Sequence, residues 1–425
     1  MRWNSFTKVI RQPEQNWPAQ ICERPIIVGH VGNRTMALIA DPEAAKTVLG
    51  GSEEQFPKWR IYERVVGSGI GHESLSVTTG SQWRRQRRAF SPMFRPEAVG
   101  QLVPLFHRAT KHAIERWGTS GGVVRLDASA EMTRLSLDVI WRAAFAEDPE
   151  AQPPPIVARA AAEIHAAHLR DEVNVPPRKI AELADEVARR PQRRRVDSSN
   201  PFDAWGAESD GDSQDGLTRQ ELYDNARVFL GAGHETTALT LTWALWLVAQ
   251  HCETQRRVHA EIDEIVGAGP IADAHIDCLT YTAQVLRETM RLFPPALVSV
   301  RQSRQAIELA GEPLPAGTVL AICIYALHRH CSWWDDPHSF SPERFAPGAG
   351  VPRHRYAYLP FSAGRHACIG AVFGWKEAVT IFAAILQRFK IATNRAVPVR
   401  PRMTITLRPD REVPIVLHPR EPATS

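Results

Sequence analysis

Residues 361–370 read Phe-Ser-Ala-Gly-Arg-His-Ala-Cys-Ile-Gly and stand directly before a helical pattern. The two glycines permit tight backbone turns and let a flat partner approach the chain closely. A cysteine just before a helix has its thiolate stabilised by the helix dipole and by free backbone amides. Arg365 and His366 add positive charge or hydrogen-bond donors beside Cys368. Although a cysteine is usually only a small apolar residue, these neighbours favour a loop that holds a thiolate or an anionic cofactor.

Two charged patterns precede this loop. Glu288-x-x-Arg291 places an acid and a base on one face of a predicted helix. Such pairs are common on solvated helices, so this pattern alone indicates nothing about function. Residues 342–345, Pro-Glu-Arg-Phe, follow later in the chain and supply Arg344 as a second base.

Residues 232–237 read Ala-Gly-His-Glu-Thr-Thr within a long helical pattern. His-Glu begins the zinc-binding pattern His-Glu-x-x-His, but residue 238 is alanine, so the second histidine is missing and a metalloprotease is excluded. A threonine in the middle of a helix can bond back to a carbonyl and bend the helix.

Residues 80–88 form a basic segment that contains Trp83 and Arg87 four positions apart. Arg84, Arg85 and Arg88 fit the solvated start of a basic helix. They also fit a surface that faces an acidic electron donor, and both interpretations stay open.

Taken together, these four segments resemble the cytochrome P-450 family, the haem-thiolate monooxygenases. The haem-binding loop of that family reads Phe-x-x-Gly-x-(Arg/His)-x-Cys-x-Gly, and residues 361–370 match it at every fixed position, with His366 at the Arg/His position. The resemblance implies that Cys368 is the axial ligand of the iron in haem b. It covers about residues 25–415, and Ser362 stands where glycine is frequent in the family.

The resemblance also implies roles for the other motifs. Glu288, Arg291 and Arg344 would form a buried ion-pair network that supports the haem loop. Glu235 and Thr236 would be the acid–alcohol pair that orders water and delivers protons to dioxygen, at a local opening of the helix. The further cofactor contacts that it implies are Phe361, Gly364 and Gly370 in the loop, and Trp83, Arg87, Arg301 and His366 toward the haem propionates.

A substrate pocket is expected beside the acid–alcohol pair. The residues assigned to it are Phe229, Ala232, Gly233, Ala296, Leu297 and Val298. Because they are apolar, they suggest a hydrophobic small molecule, although the same residues would also suit packing in the core.

The activity implied is that of a monooxygenase, which activates dioxygen with two external electrons and hydroxylates or otherwise oxidises its substrate. The sequence lacks Gly-x-Gly-x-x-Gly after a strand, and residues 67–71 have the wrong spacing for it. Electrons are therefore expected from NAD(P)H through a separate reductase and a ferredoxin or flavodoxin. A peroxide-driven oxygenase and a non-enzymatic haem-thiolate sensor are the alternatives, and the acid–alcohol pair disfavours both.

The amino-acid composition excludes several classes of protein. The 425 residues are 44% hydrophobic and 23% charged, which is ordinary for a globular protein and excludes disorder or a collagen-like repeat. A net charge of +4 gives no argument for nucleic acid as a partner. The six cysteines contain no Cys-x-x-Cys pair, and no apolar run reaches the ~18 residues of a membrane span. A soluble, cytoplasmic, monomeric protein of bacterial type is expected.

The fold predicted is mostly α with a minor β lobe, as one haem domain over residues 1–425 with an N-terminal extension at 1–24. Strands are predicted within 25–40 and 308–326. Helices are predicted at 104–117, 128–145, 219–250, 254–266, 280–292 and 371–389. Residues 147–216 fit a mobile lid with helices at 156–168 and 178–188, or a linker. His165 and His168 within it could share a metal, but a pair of surface histidines is favoured.

Overall fold

The computed structural model describes residues 9, 17–59, 71–118, 122–144, 153–170, 175–189, 216–349, 354–394 and 398–420. These residues form a mostly helical fold with small β-sheets, which confirms the predicted fold class. They fall into two compact units. The first contains residues 1–64, 284–369 and 400–409, and the second contains residues 65–283, 370–399 and 410–425. The assignment of residues 1–425 to one haem domain stays a prediction.

The helices include every predicted one, with bounds that agree to within about three residues at either end, and, among the described residues, five shorter ones that were not predicted with bounds. Within the described ranges they are α1 Pro42–Gly50, α2 Gly80–Phe90, α3 Pro96–Gly100, α4 Val103–Arg116, α5 Ala128–Ala144, α6 Pro155–Leu169, α7 Val175–Arg189, α8 Arg219–Gln250, α9 Cys252–Ile265, α10 Asp273–Ile276, α11 Thr280–Leu292, α12 Ile324–Leu327 and α13 Ala371–Arg388. None of them combines the length and apolar character that crossing a bilayer requires.

The strands are short and concentrate near the two ends of the chain. They are β1 Ile26–Val31, β2 Arg34–Ile39, β3 Val124–Asp127, β4 Val298–Gln302, β5 Ile307–Leu309, β6 Glu312–Leu314, β7 Val319–Cys323, β8 Phe389–Thr393, β9 Pro401–Met403, β10 Leu407–Pro409 and β11 Pro414–Pro419. β1, β2 and β5 to β7 agree with the two predicted ranges to within one residue. β3 was not predicted, and β4 and β8 to β11 were not predicted with bounds, because such short strands carry too little alternation to be recognised.

The first unit is built on a four-stranded sheet with the order β1-β2-β7-β4. β1 and β2 form an antiparallel hairpin whose two-residue turn contains Gly32 at a φ of +57°. β2 then pairs in parallel with β7. All five residues of β7 are buried, as expected for a central strand that is covered on both faces.

The second unit contains α8, which spans thirty-two residues from Arg219 to Gln250. A capping box starts it: Thr218 accepts a hydrogen bond from the Glu221 amide, and Glu221 accepts one from the Thr218 amide. Most of its middle and C-terminal part is buried, including Trp243. The three-stranded sheet β3-β11-β8 belongs to the same unit.

The region predicted as a lid or linker is described in part. The two helices expected there are formed as α6 and α7. Residues 147–152, 171–174 and 190–215, with the basic run and the acidic stretch, lie outside the described residues. The assignment as a lid therefore stays a prediction.

Candidate active site

The loop that carries Cys368 is folded back on itself by backbone hydrogen bonds. The Cys368 amide donates to the Phe361 carbonyl at 3.0 Å, and the Ala367 amide donates to the Gly364 carbonyl at 3.1 Å. Gly364 has a φ of +74°, and a Cβ there would lie 1.8 Å from the Leu49 carbonyl oxygen. Only glycine allows this contact, which fixes the loop against the end of α1. Cys368 is exposed on this fixed loop.

Ser362 has a left-handed backbone conformation, with a φ of +58°. This conformation is unfavourable for a residue that carries a Cβ, which is the physical reason why glycine suits the position. Within the described part of the chain, the Ser362 hydroxyl oxygen is buried and has no hydrogen-bond partner.

The structure brings Glu288, Arg291 and Arg344 together. Arg291 donates from Nε and Nη2 to the two Glu288 carboxylate oxygens at 2.7 and 2.8 Å. Arg344 Nε donates to Glu288 Oε1 at 3.0 Å. The Glu288 and Arg291 side chains are completely buried, and Arg291 also donates to the backbone carbonyls of His328 and Pro337. These bonds offset the cost of burying the charges.

His328, which the sequence analysis missed, connects this network to the cysteine loop. Its ring is fully buried, and Nε2 accepts a hydrogen bond from the Leu359 amide at 2.8 Å. Nδ1 lies 3.3 Å from the Met290 carbonyl, which can only accept, so Nδ1 carries the proton. Burial, with the charges of Arg329 and Arg291, lowers the pKa of His328 to about 3. A neutral histidine therefore links α11 to Leu359, whose carbonyl accepts from the Ser362 amide.

Arg301 brings a buried positive charge to the same unit as Cys368. It lies on β4, is 7% exposed and donates from Nη1 to the Val300 carbonyl at 2.8 Å. His366 and Phe361 of the loop are both half-buried.

Glu235 and Thr236 lie in the second unit, both half-buried on α8. The Thr236 hydroxyl donates to the Ala232 carbonyl at 2.9 Å, and the Thr240 hydroxyl donates to the Thr236 carbonyl at 2.9 Å. The helix continues unbroken through these residues, and the expected local opening stays a prediction. Each hydroxyl donates to the carbonyl four residues earlier, which is compatible with an intact helix. The oxygen of the Thr236 hydroxyl can still accept a hydrogen bond.

The next residue, Thr237, makes a contact that the sequence did not indicate. Its hydroxyl donates to Glu377 Oε2 at 3.0 Å, where Glu377 is a buried residue of α13. The other carboxyl oxygen, Oε1, is buried and has no hydrogen-bond partner among the described residues. Burial raises the pKa of Glu377 well above its ordinary value, although the Thr237 hydroxyl opposes this shift. A carboxyl within an otherwise apolar helical pattern was the only available signal.

The helix α2 carries the other predicted haem contacts. Trp83 is buried and Arg87 is half-buried. Arg85 is half-buried and makes contacts within the protein that neither interpretation predicted. Its guanidinium forms an ion pair with the buried Glu221 carboxylate at 2.5 Å and donates to the Gly216 carbonyl. Arg84 and Arg88 remain exposed.

The residues assigned to the substrate pocket differ in accessibility. Phe229 packs edge-on against Phe90 and Phe94, with ring centroids 5.3 and 5.4 Å apart, and Leu297 is completely buried. Both are buried, and their assignment to the substrate pocket stays a prediction. Ala232 and Ala296 are exposed, and Gly233 and Val298 are half-buried.

His165 has an acidic partner among the described residues. Its Nε2 lies 2.9 Å from Asp127 Oδ2, which joins α6 to the start of α5. No group of three or more His, Cys, Asp or Glu side chains suited to a metal occurs among the described residues.

The donor set of the first unit fits iron protoporphyrin. A soft thiolate sulfur ligates iron, and the thiol of Cys368 is exposed on a loop held by backbone bonds. A buried guanidinium and an imidazole, from Arg301 and His366, suit carboxylates such as the propionates. The residues present therefore fit the cofactor.

The fold is mostly helical with a small mixed sheet, and the site is an exposed thiol on a loop held by backbone hydrogen bonds. Together they define the class of haem-thiolate proteins. A sequence model of the cytochrome P-450 family matches residues 19–164 and 178–413. The chain belongs to the cytochrome P-450 family and is an oxidoreductase of that family, which implies haem, a substrate and a redox partner.

Relatives cover nearly the whole chain. Cyclooctatin synthase of Streptomyces melanosporofaciens is 29% identical over 435 residues, covering 95% of this chain and 91% of that protein. Cyclooctat-9-en-7-ol 5-monooxygenase of the same organism is 29% identical and covers 90% and 85%. Taurochenodeoxycholic 6 alpha-hydroxylase of Sus scrofa is 27% identical and covers 85% and 78%. The crystal structure of a cytochrome P-450 haem domain superposes with a TM-score of 0.79 at 21% identity, covering 94% of this chain and 90% of that one.

Proposed function

We propose that this protein is a haem-thiolate monooxygenase that oxidises a hydrophobic small organic molecule, using dioxygen and two electrons from a separate donor. The observation that carries the proposal is the exposed thiol of Cys368 on a loop that is fixed from both sides. Haem bound there would activate dioxygen, and the thiolate would donate electron density to the iron.

The supporting residues of the first unit hold the thiolate ligand in place. Gly364 packs against the carbonyl of Leu49, and Leu359 is tied to the neutral ring of His328. The Glu288–Arg291 pair fixes α11, whose Met290 carbonyl accepts the second hydrogen bond of His328. These contacts within the protein hold the loop in place, and a loop held in this way would lose little conformational freedom on binding the cofactor.

The proton delivery proposed for α8 uses two adjacent groups. The Thr236 hydroxyl donates to Ala232, so it would accept a hydrogen bond from an ordered water and hold that water in place. The carboxylate of Glu235, half-buried on the same turn, would exchange protons with solvent.

The basic residues Arg87, Arg301 and His366, with Trp83, are proposed to bind the propionates. Arg301 supports this role because a buried guanidinium favours a carboxylate partner. Electrons are proposed to come ultimately from NAD(P)H through a reductase and a ferredoxin or flavodoxin. The exposed or half-buried apolar residues Ala296 and Val298 favour a hydrophobic substrate.

The first test of this function is spectroscopic. The reduced, carbon monoxide-bound protein should show the red-shifted Soret band of thiolate-ligated haem, and Cys368→His should lose it. A wild-type band at the position of imidazole-ligated haem would contradict thiolate ligation.

The second test separates the alternatives. With an electron donor and a substrate found by its haem spin-state shift, Thr236→Ala should release several-fold more peroxide per product than wild type, whereas Thr236→Ser should stay close to wild type. Turnover that needs only added peroxide and ignores Thr236→Ala would identify the peroxide-driven oxygenase. Reversible ligand binding without any product would identify the sensor.

A further inference from the structure

Two cysteines far apart in the chain are neighbours in the first unit. The Cys331 amide donates to the Cys22 carbonyl at 3.2 Å. An α-carbon lies about 2.4 Å from its own carbonyl oxygen and about 1.46 Å from its own nitrogen, so the two α-carbons are at most about 7 Å apart. Disulfides span about 4.4 to 6.8 Å between α-carbons. The backbone contact therefore places the two α-carbons within or close to the span of a disulfide.

The two thiols differ in accessibility. Cys331 is exposed in the turn after α12, and Cys22 is half-buried at the end of the 3-10 helix Ala19–Cys22. A third cysteine of the same unit, Cys323, is completely buried on β7, and its thiol lies 3.5 Å from the Ala321 carbonyl. Of the three, Cys331 is the one that a dissolved oxidant reaches first.

Burial and nearby charges act on the Cys22 thiol in opposite directions. Burial has the largest effect and raises the pKa of Cys22, Arg329 lowers it, and the Cys331 thiol and Glu23 raise it again. The influence of Cys331 shows that the two thiols lie within electrostatic reach of each other. Arg329 is a fixed cation, because it is buried with its guanidinium 3.8 Å from the centre of the Tyr325 ring.

We propose that Cys22 and Cys331 form a reversible disulfide when the protein meets hydrogen peroxide. The Cys331 sulfur attacks one peroxide oxygen, which breaks the O–O bond, releases water and leaves a sulfenic acid. The Cys22 sulfur then attacks the sulfenic sulfur, forms the S–S bond and releases a second water. The two thiols lose two electrons and two protons in total, and one peroxide becomes two waters. A thiol reductant such as glutathione reverses the change by exchange.

The disulfide would link the segment before β1 covalently to the turn after α12. It would therefore restrain the N-terminal segment of the first unit. It needs only added peroxide and does not depend on the proposed oxygenase activity. An enzyme that leaks peroxide during turnover would nevertheless supply its own oxidant.

Peptide mapping tests the proposal directly, because trypsin separates the three cysteines. Cys22 falls in peptide 12–34, Cys323 in 305–329 and Cys331 in 330–344. The haem-loaded protein is treated with hydrogen peroxide, alkylated with N-ethylmaleimide, digested and analysed by mass spectrometry. We expect peptides 12–34 and 330–344 to be joined, and to separate after dithiothreitol.

Matched variants give the controls. Cys22→Ser and Cys331→Ser should each abolish the joined peptide, whereas Cys252→Ser and Cys278→Ser, which remove exposed thiols elsewhere, should preserve it. Joining of peptides 12–34 and 305–329 instead, bridges found only in dimers on a non-reducing gel, or no joined peptide at all would each overturn the proposal.

Discussion

Ser362 combines two unfavourable features in the cysteine loop, a left-handed backbone and a buried hydroxyl without a partner among the described residues. Ser362→Gly removes both, although glycine loses more entropy on folding. We expect the free energy of unfolding to rise by about 1 kcal/mol in chemical denaturation. Ser341→Gly is the matched control, because Ser341 has a φ of −139° and gains nothing from glycine. An unchanged or lower stability for Ser362→Gly would contradict the strain.

Glu377 gives a pH dependence of defined sign. Its pKa is raised in the folded protein, so its stabilising effect is complete below the ordinary value of 4.5 and is lost as the pH rises through the folded value. In that window each pH unit costs up to about 1.4 kcal/mol. Glu377→Gln keeps an acceptor for Thr237 and cannot ionise, so its free energy of unfolding should fall less than that of wild type between pH 5 and 8. Glu264→Gln, at an exposed position, should follow wild type.

At the scale of elements, the Glu221 carboxylate at the start of α8 binds three side chains of helix α2. Glu221 Oε1 accepts from Arg85 at 2.5 Å and from Gln82 and Gln86 at 3.0 and 3.1 Å. Burial raises the pKa of Glu221, but hydrogen bonds from the Thr218 amide and these three side chains outweigh it and lower the pKa overall.

Glu221→Gln should therefore be costly, because it leaves the Arg85 charge without its carboxylate. We expect a loss of about 3 kcal/mol in urea denaturation. Glu43→Gln breaks an exposed pair with Lys46 and should cost less than about 0.5 kcal/mol. Equal losses for the two variants would show that the Glu221 contacts do not fasten the helices.

The elements also show how far a sequence can be interpreted. The bounds of α8 and α11 were predicted to the residue, because continuous helical patterns of apolar residues define both helices. The roles of His328 and Glu377 were not predictable, since each depends on a partner that tertiary packing brings close: Leu359 for the first and Thr237 for the second. The ion pair of Arg85 was not predicted for the same reason, because its partner Glu221 is far away in the sequence.

At the scale of the whole molecule, buried neutral histidines set the response to acid. Burial lowers the pKa of His328 to about 3 and, together with Arg420, that of His259 to about 4. The unfolded chain binds these protons near pH 6.5, so stability is present above that value and is lost as the pH falls toward 4 and 3.

We expect the free energy of unfolding to fall by several kcal/mol between about pH 6.5 and 4. His328→Gln, whose amide can donate to Met290 and accept from Leu359, should reduce this fall. His72→Gln, at an exposed site, should not change it. An identical acid response in all three proteins would contradict the role of the buried ring.

The parallel pairing of β2 with β7 has a consequence for the chain while it is being synthesised. Met36 finds its partner Val319 only after roughly 280 more residues have been added. A ribosome adds about 5 to 20 residues per second, so the β1–β2 hairpin waits roughly 15 to 60 s with one edge uncovered. An open edge of this kind is a template for pairing with other chains. The nascent N-terminal hairpin is thus open to pairing with other chains throughout that interval.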